Sequence, residues 1–419
     1  MAGLAKHSGR KCNRGNVAII LALAAPALVG VAGLSVETGY WYYLQKKAQK
    51  AADISAYAGA VSLRNGEAQA AALDVALKEA ALLGFAAPEV AVTPVSPPTS
   101  GPNQHGRAMQ VTIDYEAPRF FSAIFDTAPI LASVRAVAAY QQPANACVLA
   151  LDGAAPGAIT ISGSADITLR SCEVMSNSIA DSAVLLSGSS DVETDCVNAA
   201  GGVAIKSGSV DLTLTDCAVA RENMPRAPDP YADVSEPTFS DLPCSSPGNG
   251  RRAAMIVSAG ASGVKRFCGG LTLSGDYRFE PGVYVVDGGA FRINASSHVS
   301  GDGVTFFLTN GAEIRFNGAA MLDFSAPTRG TYAGIAFMGD RSDAGVEHRF
   351  NGTSDSLITG AIYTPASELI FSGNFSGENG CTQLVASTIT LLGNMGFATD
   401  CTGRSLRWAQ VPGAVRMLE

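Results

Sequence analysis

Charge is scarce in this chain. Asp, Glu, Lys and Arg make up 16% of its 419 residues, and aromatics only 7%. The formal net charge is −8, although the first residues are basic, so the remainder is more acidic than the total. That acidic balance argues against nucleic-acid binding. The four histidines, His7, His105, His298 and His348, do not cluster near cysteine, and no C-x-x-C occurs. A zinc site therefore has no ligand spacing to build on. No motif couples a Ser or Cys to a His, so the sequence marks no catalytic residue, cofactor site or metal site.

One stretch lacks charge altogether. Val17 to Val36 contains no charged residue and is about the 20 residues a helix needs to cross a hydrocarbon core. Pro26 falls near its middle, which membrane helices tolerate better than soluble ones. The leader before it carries Lys6, Arg10, Lys11 and Arg14 and no acid. The positive-inside rule then keeps the N-terminus in the cytoplasm and exports the chain beyond the run. Tyr40, Trp41, Tyr42 and Tyr43 come next and fit an aromatic belt at the membrane interface. A cleaved secretory signal and a buried core helix are the competing readings. A signal would have a shorter apolar core and a small-residue cleavage site. Here the polar exit from Glu37 to Lys47 continues as helix, which favours a retained single-pass anchor. Ala18, Ala22, Ala25, Gly30 and Gly33 would let partner helices approach closely, or are merely compatible with lipid.

Glycine, by contrast, is abundant at 45 residues, alongside many Ser, Thr and Val. Low charge with that composition suits extended β architecture, and the length implies two or three domains. The order read from the sequence starts with a basic leader over 1–16 and a membrane helix over 17–36 that continues to about 63. A small α+β domain comes next over 64–142, with a second helix at 66–84, strands, and a short helix around APRFFSAIFD. Phe120, Phe121, Ile124 and Phe125 in that segment read as core packing.

From residue 146 the character changes. ITISGSADITLRSC, LLSGSSDVETDC and AIKSGSVDLTLTDC each place Ser-Gly-Ser before an Asp and close on Cys. The cysteines Cys147, Cys172, Cys196 and Cys217 recur after 25, 24 and 21 residues. A repeat of that length with several short strands per unit indicates a β-solenoid. The first solenoid part spans 146–220. A Pro-rich insertion or linker occupies 221–252, a second solenoid part 253–405, and a tail 406–419. The fold class is thus a membrane-anchored α+β stalk followed by an all-β parallel β-helix.

Of nine cysteines, Cys12 precedes the anchor and eight come after it, an even number that suits disulfides in an oxidising compartment. Stacked strands lie about 4.8 Å apart, within the roughly 4.4–6.8 Å that a disulfide needs between Cα atoms. Equivalent positions on neighbouring turns can therefore pair: Cys147 with Cys172 and Cys196 with Cys217. A Cys172–Cys196 bridge also fits the distance but strands the other two. Cys244 is expected to reach Cys268 and staple the insertion. Cys381 and Cys401 are expected to pair and protect the open end of the solenoid.

Solenoids include polysaccharide lyases and hydrolases, which need facing carboxylates or a base with a charge stabiliser. Asp166, Asp191 and Asp211 share one repeat position. Stacked, they either form an acidic ladder able to take Ca²⁺ or cap turns, and capping is the expectation. His298 and His348 read as surface or turn residues. The aromatics Tyr284, Phe291, Phe306, Phe307, Phe316, Phe324, Phe337, Phe350, Tyr363 and Phe371 read as interior filling rather than a glycan platform.

The N-terminus resembles that of TadG-like Flp (tight adherence) pilus-assembly proteins. A basic leader with Arg14-Gly15 and an Ala-rich apolar run leads to Glu37 and Gly39, then to Leu44, Gln45, Ala51, Ala52 and Asp53. Related pilin-like subunits carry a Glu five residues after a Gly for prepilin-peptidase cleavage; here Gly15 is followed at that distance by Ile20. The family's "FFS…(I/L)F" segment is matched by Phe120, Phe121, Ser122, Ile124 and Phe125. Its later segments are matched by Gly282–Gly289, Ser300–Leu308, Ala326–Ile335 and Gly360–Pro365. The resemblance implies a non-enzymatic accessory component of Flp pilus assembly in a bacterial inner membrane. Its partners would be that membrane and other pilus-assembly or pilin-like proteins. The chain carries no D-x-S-x-S start of the metal-dependent adhesion domains found in some relatives. A glycan-binding adhesin and a polysaccharide-active enzyme are the alternatives.

Overall fold

The computed structural model describes residues 14–419 except 89, 105, 207, 251–252, 354–355, 374, 378–380, 398–400 and 402. The leader charges through Lys11, along with His7, Cys12 and His105, lie outside the described residues. The chain divides into two compact units, Met1–Gln142 with Gly413–Glu419, and Pro143–Pro412.

In the first unit, helix α1 runs unbroken from Arg14 to Arg64, roughly 75 Å at 1.5 Å per residue. Its second half carries Ala48, Ala51, Ala52, Ala56 and Ala60 on one face, all buried. Helix α2 (Gln69–Leu82) answers with Ala72, Ala76 and Ala80, four residues apart and so stacked on one side. Small side chains on both helices let the backbones come close. A Cβ on Gly59 would stand 2.9 Å from the Met109 side chain and 3.2 Å from the Ala72 carbonyl. Strands β1 (Ala91–Val95), β2 (Ala108–Ala117) and β3 (Ile130–Tyr140) form an antiparallel sheet. It buries Met109, Val111, Ile113 and Tyr115 in the same core as the alanines.

The residues expected to form a C-terminal tail are built in. Val415–Met417 adds a fourth strand beside β3, and the Glu419 carboxylate pairs with Arg135. Ala409–Val411 pairs antiparallel with Ala144–Ala150 in the second unit's own sheet. Alternating short apolar runs can serve as strands wherever an edge is open, and the linear pattern does not say where that edge lies.

The second unit is a parallel β-solenoid of about ten turns. The Ser-Gly-Ser repeats are its stacked corners. Gly163 and Gly188 both take left-handed backbone, and a Cβ on Gly188 would come 2.3 Å from the Gly163 carbonyl. That carbonyl instead accepts a 2.8 Å hydrogen bond from the Ser189 amide. Only glycine fits such a turn without strain.

The turns do not stack in chain order. One outward column reads Val285, Phe307, Met338, Tyr363, Val385, Leu149, Met175, Asn198. Chain order would put residues 149–198 first. Instead the turn at 382–392 lies directly against the turn at 144–162, so the two parts form one continuous stack entered at its middle. The 381–401 bridge therefore sits inside the stack, not at the open end expected for it.

This order requires a return path, and residues 221–250 supply it. They run back over the outward column as a strap. Asn177 Nδ2 and Oδ1 hold the Ala227 carbonyl and amide. Tyr231 Oη donates to Gln383, and Tyr363 Oη to Asp229. Arg341 donates to the carbonyls of Tyr231 and Val234. Phe239 packs on Phe307, and Cys244 is bonded to Cys268. The segment read as an insertion or linker is thus a cover, and VTFFLT (Val304–Thr309) is buried at every position, with Phe239 of the strap on the outer Phe307. Phe307 and Tyr363 lie under the strap. Phe279, Tyr284, Phe291, Phe306, Phe316, Phe324, Phe337, Phe350 and Phe371 fill the interior.

Candidate functional site

Two features outside the packed cores stand out: the first half of α1 with the loop docked on it, and a polar cleft on the solenoid.

From Ile20 to Val36, α1 has no described packing comparable to its second half. Ile20, Leu21, Leu23, Leu28, Val29, Val31 and Val36 are all exposed. The helix is long and apolar enough to cross a membrane. Its polar side chains are satisfied internally: Ser35 Oγ donates to the Val31 carbonyl and Thr38 Oγ1 to that of Leu34, the usual remedy for hydroxyls on a helix in an apolar setting.

Glu37 ends this stretch, and its side chain is buried. Both carboxylate oxygens are used by the β2–β3 loop. Oε1 accepts from the Phe120 amide and the Ser122 hydroxyl, and Oε2 from the Ser122 amide, each at 2.8 Å. One turn earlier, Gly33 leaves room for the Phe121 ring, whose Cδ1 would lie 2.4 Å from a Cβ there. One turn later, Trp41 Nε1 donates to the Pro118 carbonyl, and Tyr40 meets Phe120 edge-on at 5.3 Å. The expected core packing of Phe120, Phe121, Ile124 and Phe125 is wrong. Phe120 is 54% exposed, Phe121 44%, Ile124 84% and Phe125 85%. The expected short helix is a single 3-10 turn, Ser122–Ile124, too short to present an apolar face to the core. Tyr42 and Tyr43 are exposed, Tyr40 borderline and Trp41 partly covered.

The polar cleft, of about 360 Å³, is lined by Arg292, Arg315, Arg349, Asn294, Asn317, Asn351 and neighbours. The arginines succeed one another in register. Arg315 pairs with Glu313 and Glu347, and Arg349 with Glu347. The hydrogen bond from Arg315 holds the Glu313 carboxyl below its usual pKa. Glu313 is therefore held as an anion by arginine, unlike a general acid, whose pKa is raised toward the working pH.

The eight cysteines beyond the anchor come together as Cys147–Cys172, Cys196–Cys217, Cys244–Cys268 and Cys381–Cys401, with Cα separations of 5.0–5.6 Å. Asp166, Asp191 and Asp211 do stack in register, exposed at the starts of their strands. Among the described residues no group of three or more His, Cys, Asp or Glu is placed to hold a metal ion. His298 is exposed at a strand start. His348 is not a surface residue: it is buried within Glu347–Gly352. Burial lowers its pKa to about 4, so the ring is neutral.

Residues 15–62 match the Tad family, described as Flp pilus-assembly TadE/G-like. The N-terminal helix is similar to TadE/G-like Flp pilus-assembly segments. The match begins at the start of α1, includes Glu37 and ends two residues before the helix does. The TadE/G-like segment thus contains both the exposed apolar half and the alanine face, and none of the solenoid. No curated protein and no solved structure matches the chain. Sequence reading identifies Glu37 as a family acid but misses its partner, because nothing local connects it to an amide some 85 residues away.

Proposed function

We propose that the chain is a non-enzymatic accessory component of Tad/Flp pilus assembly. It is held by α1 in a bacterial inner membrane, with the N-terminus cytoplasmic and the chain beyond the apolar run periplasmic or surface-exposed. The observation that carries this is the coincidence of the TadE/G-like segment with a helix that is apolar and exposed in its first half and packed into a folded unit in its second. Four disulfides support an oxidising compartment for the solenoid. The exposed face of the first half is the surface for helix packing with other pilus-assembly or pilin-like membrane proteins, and the solenoid acts through contacts outside the membrane.

The test is deletion of the chain in its own cell, with complementation by the full chain and by Leu34→Arg on the exposed helix face. Loss of assembled pili, restored by the full chain and not by the variant, is the expected result. Full piliation after deletion overturns it. The Arg–Asn cleft favours one second reading, a glycan-binding protein on the same anchor. That reading predicts piliated but non-adherent cells, with adhesion lost in Arg292→Ala.

A further inference from the structure

We propose that the β2–β3 loop, Arg119 to Asp126, is a second membrane contact that enters the leaflet beside the exit of α1. This rests on α1 being a membrane span. The ligand is the headgroup–acyl boundary of a lipid bilayer.

Three observations carry it. The first is depth. Phe121 lies on Gly33, inside the apolar run and four residues before Glu37. At 1.5 Å per residue that is about 6 Å below the level of Glu37, within the roughly 5–10 Å at which interfacial segments bury apolar side chains. The second is exposure: Ile124 and Phe125 are uncovered by their own unit, three and four residues beyond the Phe121 ring that lies on Gly33. The third is polar closure. Lipid admits only backbone whose polar groups are already paired. The amides of Phe120 and Ser122 are taken by Glu37, and those of Phe125 and Asp126 by the Ser122 carbonyl. The Ala128 amide is taken by Asp126, and Arg119 is spent on the Ala128 carbonyl and Asp126. A docking site for another protein usually offers free polar groups at its rim; here the amides of Phe120, Ser122, Phe125, Asp126 and Ala128 are engaged by Glu37 or within the loop, which favours lipid.

The full chain, with Cys12→Ser, is reconstituted in phosphatidylethanolamine–phosphatidylglycerol vesicles. An environment-sensitive fluorophore is placed at Phe125→Cys, or at Leu23→Cys or Leu82→Cys for comparison. Shallow nitroxide lipids are expected to quench position 125 at least about threefold more than position 82, as a boundary depth requires. A label at 125 that stays in water while 23 is quenched overturns the second contact and leaves the span intact. If 23 is also unquenched, the membrane-span reading itself has failed. A label at 125 that is shielded from water, insensitive to nitroxide lipid and crosslinked to a second copy shows a protein partner instead, and overturns the proposal.

Discussion

Glu37 and Ser122 are 85 residues apart in sequence and share two hydrogen bonds, from the Ser122 amide to Oε2 and from its hydroxyl to Oε1. One side chain on the helix thus positions the whole apolar loop. Glu37→Ala removes every acceptor, and Glu37→Gln keeps one. Hydrogen exchange at the Phe120 and Ser122 amides is expected to accelerate in the order wild type, Gln, Ala, with amides in β2 unchanged. Unaltered exchange in the Ala variant would mean that Gly33 and Trp41 hold the loop without it.

The strap makes a second prediction. Tyr363 Oη donates to Asp229 at 2.8 Å, its ring lies 5.2 Å from that of Tyr231, and the Arg341 guanidinium sits 5.5 Å from its centre. Burial, with the neighbouring Asp229 charge, raises its pKa, so it stays a protonated donor. Tyr363→Phe leaves a carboxylate without that donor and is expected to cost about 1–3 kcal/mol. Protease cleavage within 221–250 should rise in parallel. Destabilisation without faster strap cleavage would place the effect in the solenoid interior.

That strap also shows where legibility ends. The repeat, the corner glycines and the cysteine spacings are visible in the sequence because stacking imposes a local period. The order of turns is not, because every turn has nearly the same length and apolar pattern. Nothing between Leu149 and Val385 says that they are neighbours. A Pro-rich segment reads as a linker whether it hangs free or lies on a surface. The only signal is Val304–Thr309, apolar at too many consecutive positions for a strand with one wet face. The loop aromatics at 120–125 mislead for a related reason: an Ile-Phe pair looks the same facing a core or facing lipid.

The disulfides between adjacent turns close loops of 20–25 residues. Chain-entropy arguments give each about 3–4 kcal/mol. Cys244 and Cys268 differ from the others in tying the strap to a turn. Replacing that pair with serine should lower the urea midpoint and expose 221–250 to protease. Replacing Cys196 and Cys217 should lower the midpoint with little change in strap cleavage. Equal cleavage in both variants would show that the strap is held by its other contacts alone.

His348 gives the chain a defined acid sensitivity. It is buried, and it pairs with Leu369 in register on the neighbouring turn. Nδ1 accepts a long 3.4 Å hydrogen bond from the Ile314 amide, and Nε2 has no partner among the described residues. Burial outweighs the attraction of Glu313, with Arg315 acting in the same direction as burial, and lowers the pKa from 6.5 to about 4. A histidine held neutral in the fold binds its proton first in the unfolded chain. Its contribution to stability is therefore full above about pH 6.5, is lost as pH falls to about 4, and changes no further below that. The shift corresponds to about 3 kcal/mol over that window. His348→Leu removes the titration and places a residue like Leu369 in the same column. Urea unfolding at pH 7.5 and pH 4 is expected to show a pH-dependent loss about 3 kcal/mol smaller in the variant than in wild type. Carboxylates other than Glu313 affect both proteins alike, so the difference isolates this ring with its Glu313 coupling, and parallel curves would mean that the buried histidine takes up its proton without unfolding the turn.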